Sequence, residues 1–151
     1  MFCVKVKKES RRKENTANLY IFNREKIREI THEVGLKPSP KWNRAKVPDW
    51  IFENKYQAQV LRGYFDTDDC LVITNNNGTK YPRLKMKIGP SPMQKQFIRI
   101  LEEMGFNFGI YQIGKGKVRV QMNRKKELRK WIKEVGLSNK KHEMKAMQFI
   151  Q

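Results

Sequence analysis

Apolar residues recur along this chain with two different periods. Phe97, Ile100, Leu101 and Met104 fall at i, i+3, i+4 and i+7, the single stripe of an amphipathic helix. This helix opens after Gly89-Pro90-Ser91-Pro92 and closes at Gly105, a residue type that takes the turn beyond a helix end without steric cost. Leu128, Trp131, Ile132 and Val135 follow a similar spacing and run into Gly136. Elsewhere the period is two. Leu84, Met86 and Ile88 alternate with Arg83, Lys85 and Lys87, and Val118, Val120 and Met122 alternate with Lys117, Arg119 and Gln121. Successive strand side chains point to opposite faces, so each of these strands has one apolar face and one polar face. Strands are predicted over about 70–75 and 81–88, joined by the hairpin signal Asn76-Asn77-Gly78. Another pair is predicted over about 106–113 and 117–122, flanking Gly114-Lys115-Gly116. One more helix is predicted over about 50–67, behind Val47-Pro48-Asp49, because proline is well tolerated at a first helical position. The order from residue 48 to 137 is αββαββα, an α+β arrangement built on antiparallel strands.

The chain before this core reads as strand, strand, helix. Phe2, Val4 and Val6 alternate with Cys3, Lys5 and Lys7; Leu19 and Ile21 mark a second strand; Ile27, Ile30 and Val34 give a helix stopped by Gly35. It looks like a copy of the chain's end. Glu33-Val34-Gly35-Leu36 matches Glu134-Val135-Gly136-Leu137, and Asn23-Arg24 matches Asn123-Arg124 with one residue of slippage. Ile27 then aligns with Leu128 and Ile30 with Trp131. Glycine stops helices in general, so the helix ends alone prove little; the shared upstream strand and periodicity point to duplication. Lys37-Pro38-Ser39-Pro40-Lys41-Trp42-Asn43-Arg44 has linker composition. The expected organisation is a ββα appendage over 1–47, the core over 48–137 and a basic tail over 138–151.

Charge narrows the function. In 151 residues, 33 Lys and Arg face 15 Asp and Glu, for a formal charge of +18 and a pI near 10.1. The length suffices for a real core, and the charge implies a polyanionic partner, most often nucleic acid. No run reaches transmembrane length, and the basic N-terminus leads into no apolar stretch, so a membrane is not an expected partner. Cys3 and Cys70 are far apart and form neither a disulfide framework nor a metal-ligand spacing. With His32 and His142 isolated and read as surface residues, no zinc site is expected, and the compartment is a reducing cytoplasm. The outward faces of two strands are basic with almost no acid among them. Neighbouring like charges repel unless an anion covers them, which favours a nucleic-acid surface over an ordinary solvated face. A sheet of this kind fits a DNA major groove, where Arg or Lys reads guanine and Gln reads adenine.

The stretch Leu61-Arg62-Gly63-Tyr64-Phe65-Asp66-Thr67-Asp68-Asp69 ends an apolar helix in three carboxylates. A helix C-terminus carries partial negative charge, so acids there are unfavourable. Either the helix stops earlier and these are turn residues, or the carboxylates serve a cation. Gly63 and Thr67, at i and i+4, form a small-residue stripe that permits two helices to approach closely; the competing use of Gly63 is a tight contact within one subunit.

This stretch resembles the signature of the LAGLIDADG homing endonucleases. Leu61, Gly63, Asp66 and Asp68 match the pattern, Tyr64 and Phe65 fill its apolar positions, and Asp69 stands in place of its final glycine. The αββαββα order and the basic sheet are similar to the family's core and DNA saddle. Val47-Pro48-Asp49-Trp50-Ile51-Phe52-Glu53 resembles the approach to the second motif in tandem, intein-type members, and the leading ββα unit resembles the end of a preceding repeat. The resemblance implies a site-specific DNA endonuclease dependent on Mg²⁺ or Mn²⁺, acting as a homodimer or with a complementing second chain. It places Asp68 at the metal and in catalysis, with Asp69 beside it, and puts Gly63, Thr67 and Tyr64 at the helix interface. Arg83, Lys85, Lys87, Lys115, Lys117, Arg119 and Gln121 would contact double-stranded DNA, and a catalytic lysine is sought among Lys85, Lys87, Lys115 and Lys117. A second reading, favoured by Asp69, is an inactive DNA- or RNA-binding protein, a regulator or intron-splicing cofactor, that keeps the fold.

Overall fold

The computed structural model describes residues 5–11, 16–36, 42–68 and 70–150, with backbone alone for Arg11, Thr16 and Asp68. Phe2, Cys3 and Val4 of the first predicted strand, part of the linker and Asp69 lie outside the described residues. The chain divides into two compact units, Met1–Ser39 and Pro40–Gln151.

In the first unit β1 (Lys7–Arg11) pairs antiparallel with β2 (Thr16–Tyr20), and α1 (Arg24–Glu33) follows. Asn23 caps α1 by accepting a hydrogen bond from the Lys26 amide at 2.9 Å, which satisfies one of the amides orphaned at a helix start. In the described residues the pairing runs from Arg11 opposite Thr16 to Lys7 opposite Tyr20. Ile27 and Ile30 share one face of α1, yet no α1 residue is buried within this unit.

The second unit holds a four-stranded antiparallel sheet in the order β3-β4-β6-β5, from β3 (Cys70–Asn76), β4 (Thr79–Ile88), β5 (Gly109–Gln112) and β6 (Val118–Asn123). Its helices are α2 (Asp49–Glu53), α3 (Gln57–Asp68), α4 (Pro92–Glu103), α5 (Lys125–Glu134) and α6 (Lys140–Met147). From α3 to α5 the order is αββαββα. One sheet face buries Leu71, Leu84, Met86, Ile88, Val118, Val120 and Met122. Against it pack Leu61 and Phe65 of α3, Phe97, Ile100 and Leu101 of α4, and Leu128 and Trp131 of α5. Each such side chain contributes roughly 1.5–3 kcal/mol by leaving water. The apolar spacing in the sequence thus becomes one shared core.

Two expectations change. The helix predicted over 50–67 is broken into α2 and α3. Lys55 adopts φ 59°, and the Tyr56 amide bonds back to the Ile51 carbonyl at 2.8 Å; this closes α2 with a left-handed residue where a glycine is usual. The expected tail over 138–151 is folded. Asn139 caps α6 by accepting from the Lys141 amide at 3.0 Å, and Ala146 and Phe149 enter the core. The compact unit also starts earlier than residue 48, since Val47 is buried in the same core.

Candidate nucleic-acid interface

The face of the sheet opposite the core is set by strand register. Arg83 pairs with Val72 on one side and Asn123 on the other; Lys85 pairs with Cys70 and Gln121; Lys87 pairs with Arg119, which pairs in turn with Tyr111. Neighbouring strands are about 4.8 Å apart, so these rows put three basic residues of β4 beside Arg119 of β6. No acidic residue occurs in β3, β4, β5 or β6. Within this unit the described ion pairs Lys46–Asp49 and Arg99–Glu103 involve no residue of the four strands. Lys87 and Arg119 are direct cross-strand neighbours of like charge. Register therefore gathers Arg83, Lys85, Lys87 and Arg119 on one half-exposed surface.

The other predicted contacts fare differently. Lys115 is exposed at the tip of the β5–β6 turn with φ 51°. Lys117 lies over the Trp42 ring, 5.2 Å from its centroid. Gln121 is only 7% exposed, and its side-chain amide donates to Asn123 Oδ1 at 2.9 Å, so it offers less to a ligand than its strand position promises. Two aromatic residues that the sequence pattern does not single out join the surface, Trp42 and Tyr111. Trp42 falls in a stretch of linker composition, which conceals it. The placement of Tyr111 on the basic face follows from alternation only once β5 is registered on β6.

The motif helix separates its three kinds of residue. Leu61 and Phe65 are fully buried, and the Phe65 ring packs on Trp131 and on His142, with centroids 5.1 Å away in each case. Gly63 and Thr67 lie on the opposite, exposed side. A Cβ placed on Gly63 meets nothing within 4 Å, so the alternative use of Gly63, a tight internal contact, is absent among the described residues. Thr67 turns its hydroxyl back to the Gly63 carbonyl at 3.0 Å. Tyr64 is half-buried within the unit: its ring meets Phe97 edge-on at 4.8 Å and its hydroxyl donates to the Lys87 carbonyl at 2.7 Å.

Asp66 is committed to the fold. Its carboxylate accepts from the Ser138 amide at 2.7 Å and the Ser138 hydroxyl at 2.5 Å, with His142 Nδ1 at 3.4 Å. Its own carbonyl accepts from Asn139 Nδ2 at 3.1 Å. Burial works to raise its pKa, but hydrogen bonds from Ser138, His142 and Asn139 outweigh it and hold the carboxyl below its ordinary value. His142, expected at the surface, is 4% exposed because this carboxylate and Phe65 draw it in. Asp68 is the last residue of α3, two positions before Cys70, whose partner across the sheet is Lys85. Its side chain and the whole of Asp69 lie outside the described residues. Among the described residues no three His, Cys, Asp or Glu side chains converge as a metal site. With Asp66 engaged, Asp68 and Asp69 are the remaining motif carboxylates, a hard-oxygen donor set suited to a magnesium-like ion.

No protein-family model matches the chain, and no curated protein matches it by sequence. Among solved structures it is similar to the homing endonuclease I-CvuI in complex with the I-CreI target in the presence of 2 mM Mg, where the DNA is not cleaved. It is equally similar to the homing endonuclease I-CvuI in complex with its own target in the presence of 2 mM Ca. Each shares 14% identity at a TM-score of 0.49, over 65% of this chain and 68% of the other. No helix among the described residues is long and apolar enough to cross a membrane.

Proposed function

We propose that this protein is a divalent-metal-dependent, site-specific DNA endonuclease of the LAGLIDADG type, binding duplex DNA on its basic sheet. The observation that carries the reading is a juxtaposition. The helix bearing the motif-like stretch ends at Asp68, one residue before β3, which pairs with the most basic strand of an acid-free sheet face. The charge of +18 supports a polyanion as partner. The open side of Gly63 and Thr67 supports helix-to-helix association of two copies, which would supply a second Asp68. Asp68, aided by Asp69, would hold the cation. When bound, that ion supplies water activation and charge neutralisation at the scissile phosphate. Arg83, Lys85, Lys87 and Arg119 hold the sugar-phosphate backbone and base edges, and Tyr64 fixes the motif helix to β4.

The test is cleavage of plasmid DNA that includes the flanking sequence of the gene, with and without Mg²⁺. The parent protein cuts only with metal. Asp68→Asn abolishes cutting while leaving the fold intact and metal-free DNA affinity equal or slightly higher, since one negative charge facing phosphate is removed. Binding without cleavage by the parent at millimolar Mg²⁺ would replace this reading with the DNA- or RNA-binding module. Asp69, standing in place of the motif's final glycine, favours that second reading.

A further inference from the structure

Arg119 on the basic face is held against a ring of the neighbouring strand. The Arg119 guanidinium carbon lies 5.2 Å from the centroid of the Tyr111 ring, and the two residues are registered partners on β6 and β5. The Tyr111 ring does not stand up from the sheet. It lies back along its own strand over Gly109: a Cβ on Gly109 would come within 3.0 Å of the Tyr111 hydroxyl oxygen and 3.1 Å of Cε2. Gly109 has no positive φ, so the strand backbone does not demand glycine here; the space above it does. Arg119 Nε is sealed from solvent and has no hydrogen-bond partner, while the residue as a whole stays half-exposed. On the other flank its registered neighbour is a second basic residue, Lys87. The guanidinium is thus pressed on an aromatic plane with one edge closed.

We propose that Gly109 and Tyr111 are positioning residues that seat Arg119 as the guanine-selecting side chain of the sheet. A flat guanidinium presenting two terminal N–H groups matches the paired O6 and N7 acceptors on the major-groove edge of guanine. Stacking fixes the plane of that fork and lowers the entropy lost on binding. A lysine in the same place would keep the charge and lose the geometry. The ring is the part of the seat that a mutation can remove: Tyr111 is 42% exposed, so its replacement leaves the core intact. This inference rests on the proposed docking of the sheet in a duplex major groove.

The experiment is selection of bound duplexes from a randomised DNA pool at one fixed low salt concentration, with circular dichroism melts confirming that each variant folds. The parent should enrich one position for guanine by roughly 5- to 100-fold, the range of a bidentate contact. Arg119→Lys and Tyr111→Leu should flatten that position while leaving the others in place. Tyr111→Phe keeps the ring and should restore the guanine column; Gly109→Ala crowds the ring and should weaken it. A parent that binds the pool with no guanine column overturns the inference but not the docking of the sheet on DNA. So does a column that survives Tyr111→Leu, or Arg119→Lys and Tyr111→Leu variants that lose affinity equally for all sequences. A parent that binds no duplex at low salt overturns the docking itself and this inference with it.

Discussion

Asp66 shows at the scale of a residue how a carboxylate can be held near the C-terminal end of a helix. Left alone, an acid there meets the negative end of the helix dipole. Here Ser138 offers both amide and hydroxyl, and His142 closes the site from the other side. Those donors make the ionised form the stable one and lower the pKa of the folded carboxyl. A group depressed in the folded state contributes stability that is complete above its unfolded pKa and is lost as pH falls through its folded one. Asp66→Asn should therefore cost about 1.5–3 kcal/mol at neutral pH, the range for hydrogen bonds to a charged group. In urea titrations the gap between parent and variant should narrow as the pH drops through that lower folded pKa. A gap that stays constant into strong acid would mean that shape, not charge, is responsible.

At the scale of the element, α3 carries three jobs on three faces. Leu61 and Phe65 anchor it, Tyr64 and Asp66 fix its azimuth against β4 and α6, and Gly63 with Thr67 remains open. The open face yields a prediction with opposite signs. Gly63→Leu should raise the stability of the isolated subunit by about 1 kcal/mol, since leucine favours a helix over glycine and nothing occupies the space. If two copies associate through α3, the same change should abolish the dimer in sedimentation experiments. A dimer that persists places the interface elsewhere. The appendage tells a related story. Its ββα order and the glycine beyond its helix, Gly35 at φ 73°, parallel β5, β6, α5 and Gly136 at φ 82°. Leu128 and Trp131 of α5 are buried, whereas α1 buries no residue within its own unit. The same element order recurs in the two units with different burial of its helix.

Across the whole molecule, charge governs how the protein meets a partner. With +18 overall and about six phosphate contacts, DNA affinity should fall roughly a thousandfold between about 50 and 200 mM salt. Replacing Arg83, Lys85 and Arg119 together with alanine should reduce both affinity and the slope of log K against log salt. Replacing Lys140 and Lys141, at the start of α6, should change both far less. Filter binding across a salt series reads both quantities, and a flat response in the parent would remove the nucleic-acid reading.

Periodicity alone determined the αββαββα order, the apolar faces that became the core, and the basic face of β4 and β6. Those follow from geometry internal to an element: 3.6 residues per helical turn and two per strand repeat. Sequence also supplied the motif-like run from Leu61 to Asp69. The resemblance put Asp68, not Asp66, at the metal, but it did not reveal the partners that engage Asp66, Ser138 and His142, more than seventy positions away. Nor did it show that 138–151 folds, since α6 is held by that same carboxylate and by burial of Ala146 and Phe149, not by its own periodicity. The break at Lys55 was hidden because a left-handed residue there is not a glycine. The seat of Arg119 on Tyr111 and the withdrawal of Gln121 were decided by register between strands. A one-residue slip there would reverse which side chains share a face, and only the tertiary structure sets that register.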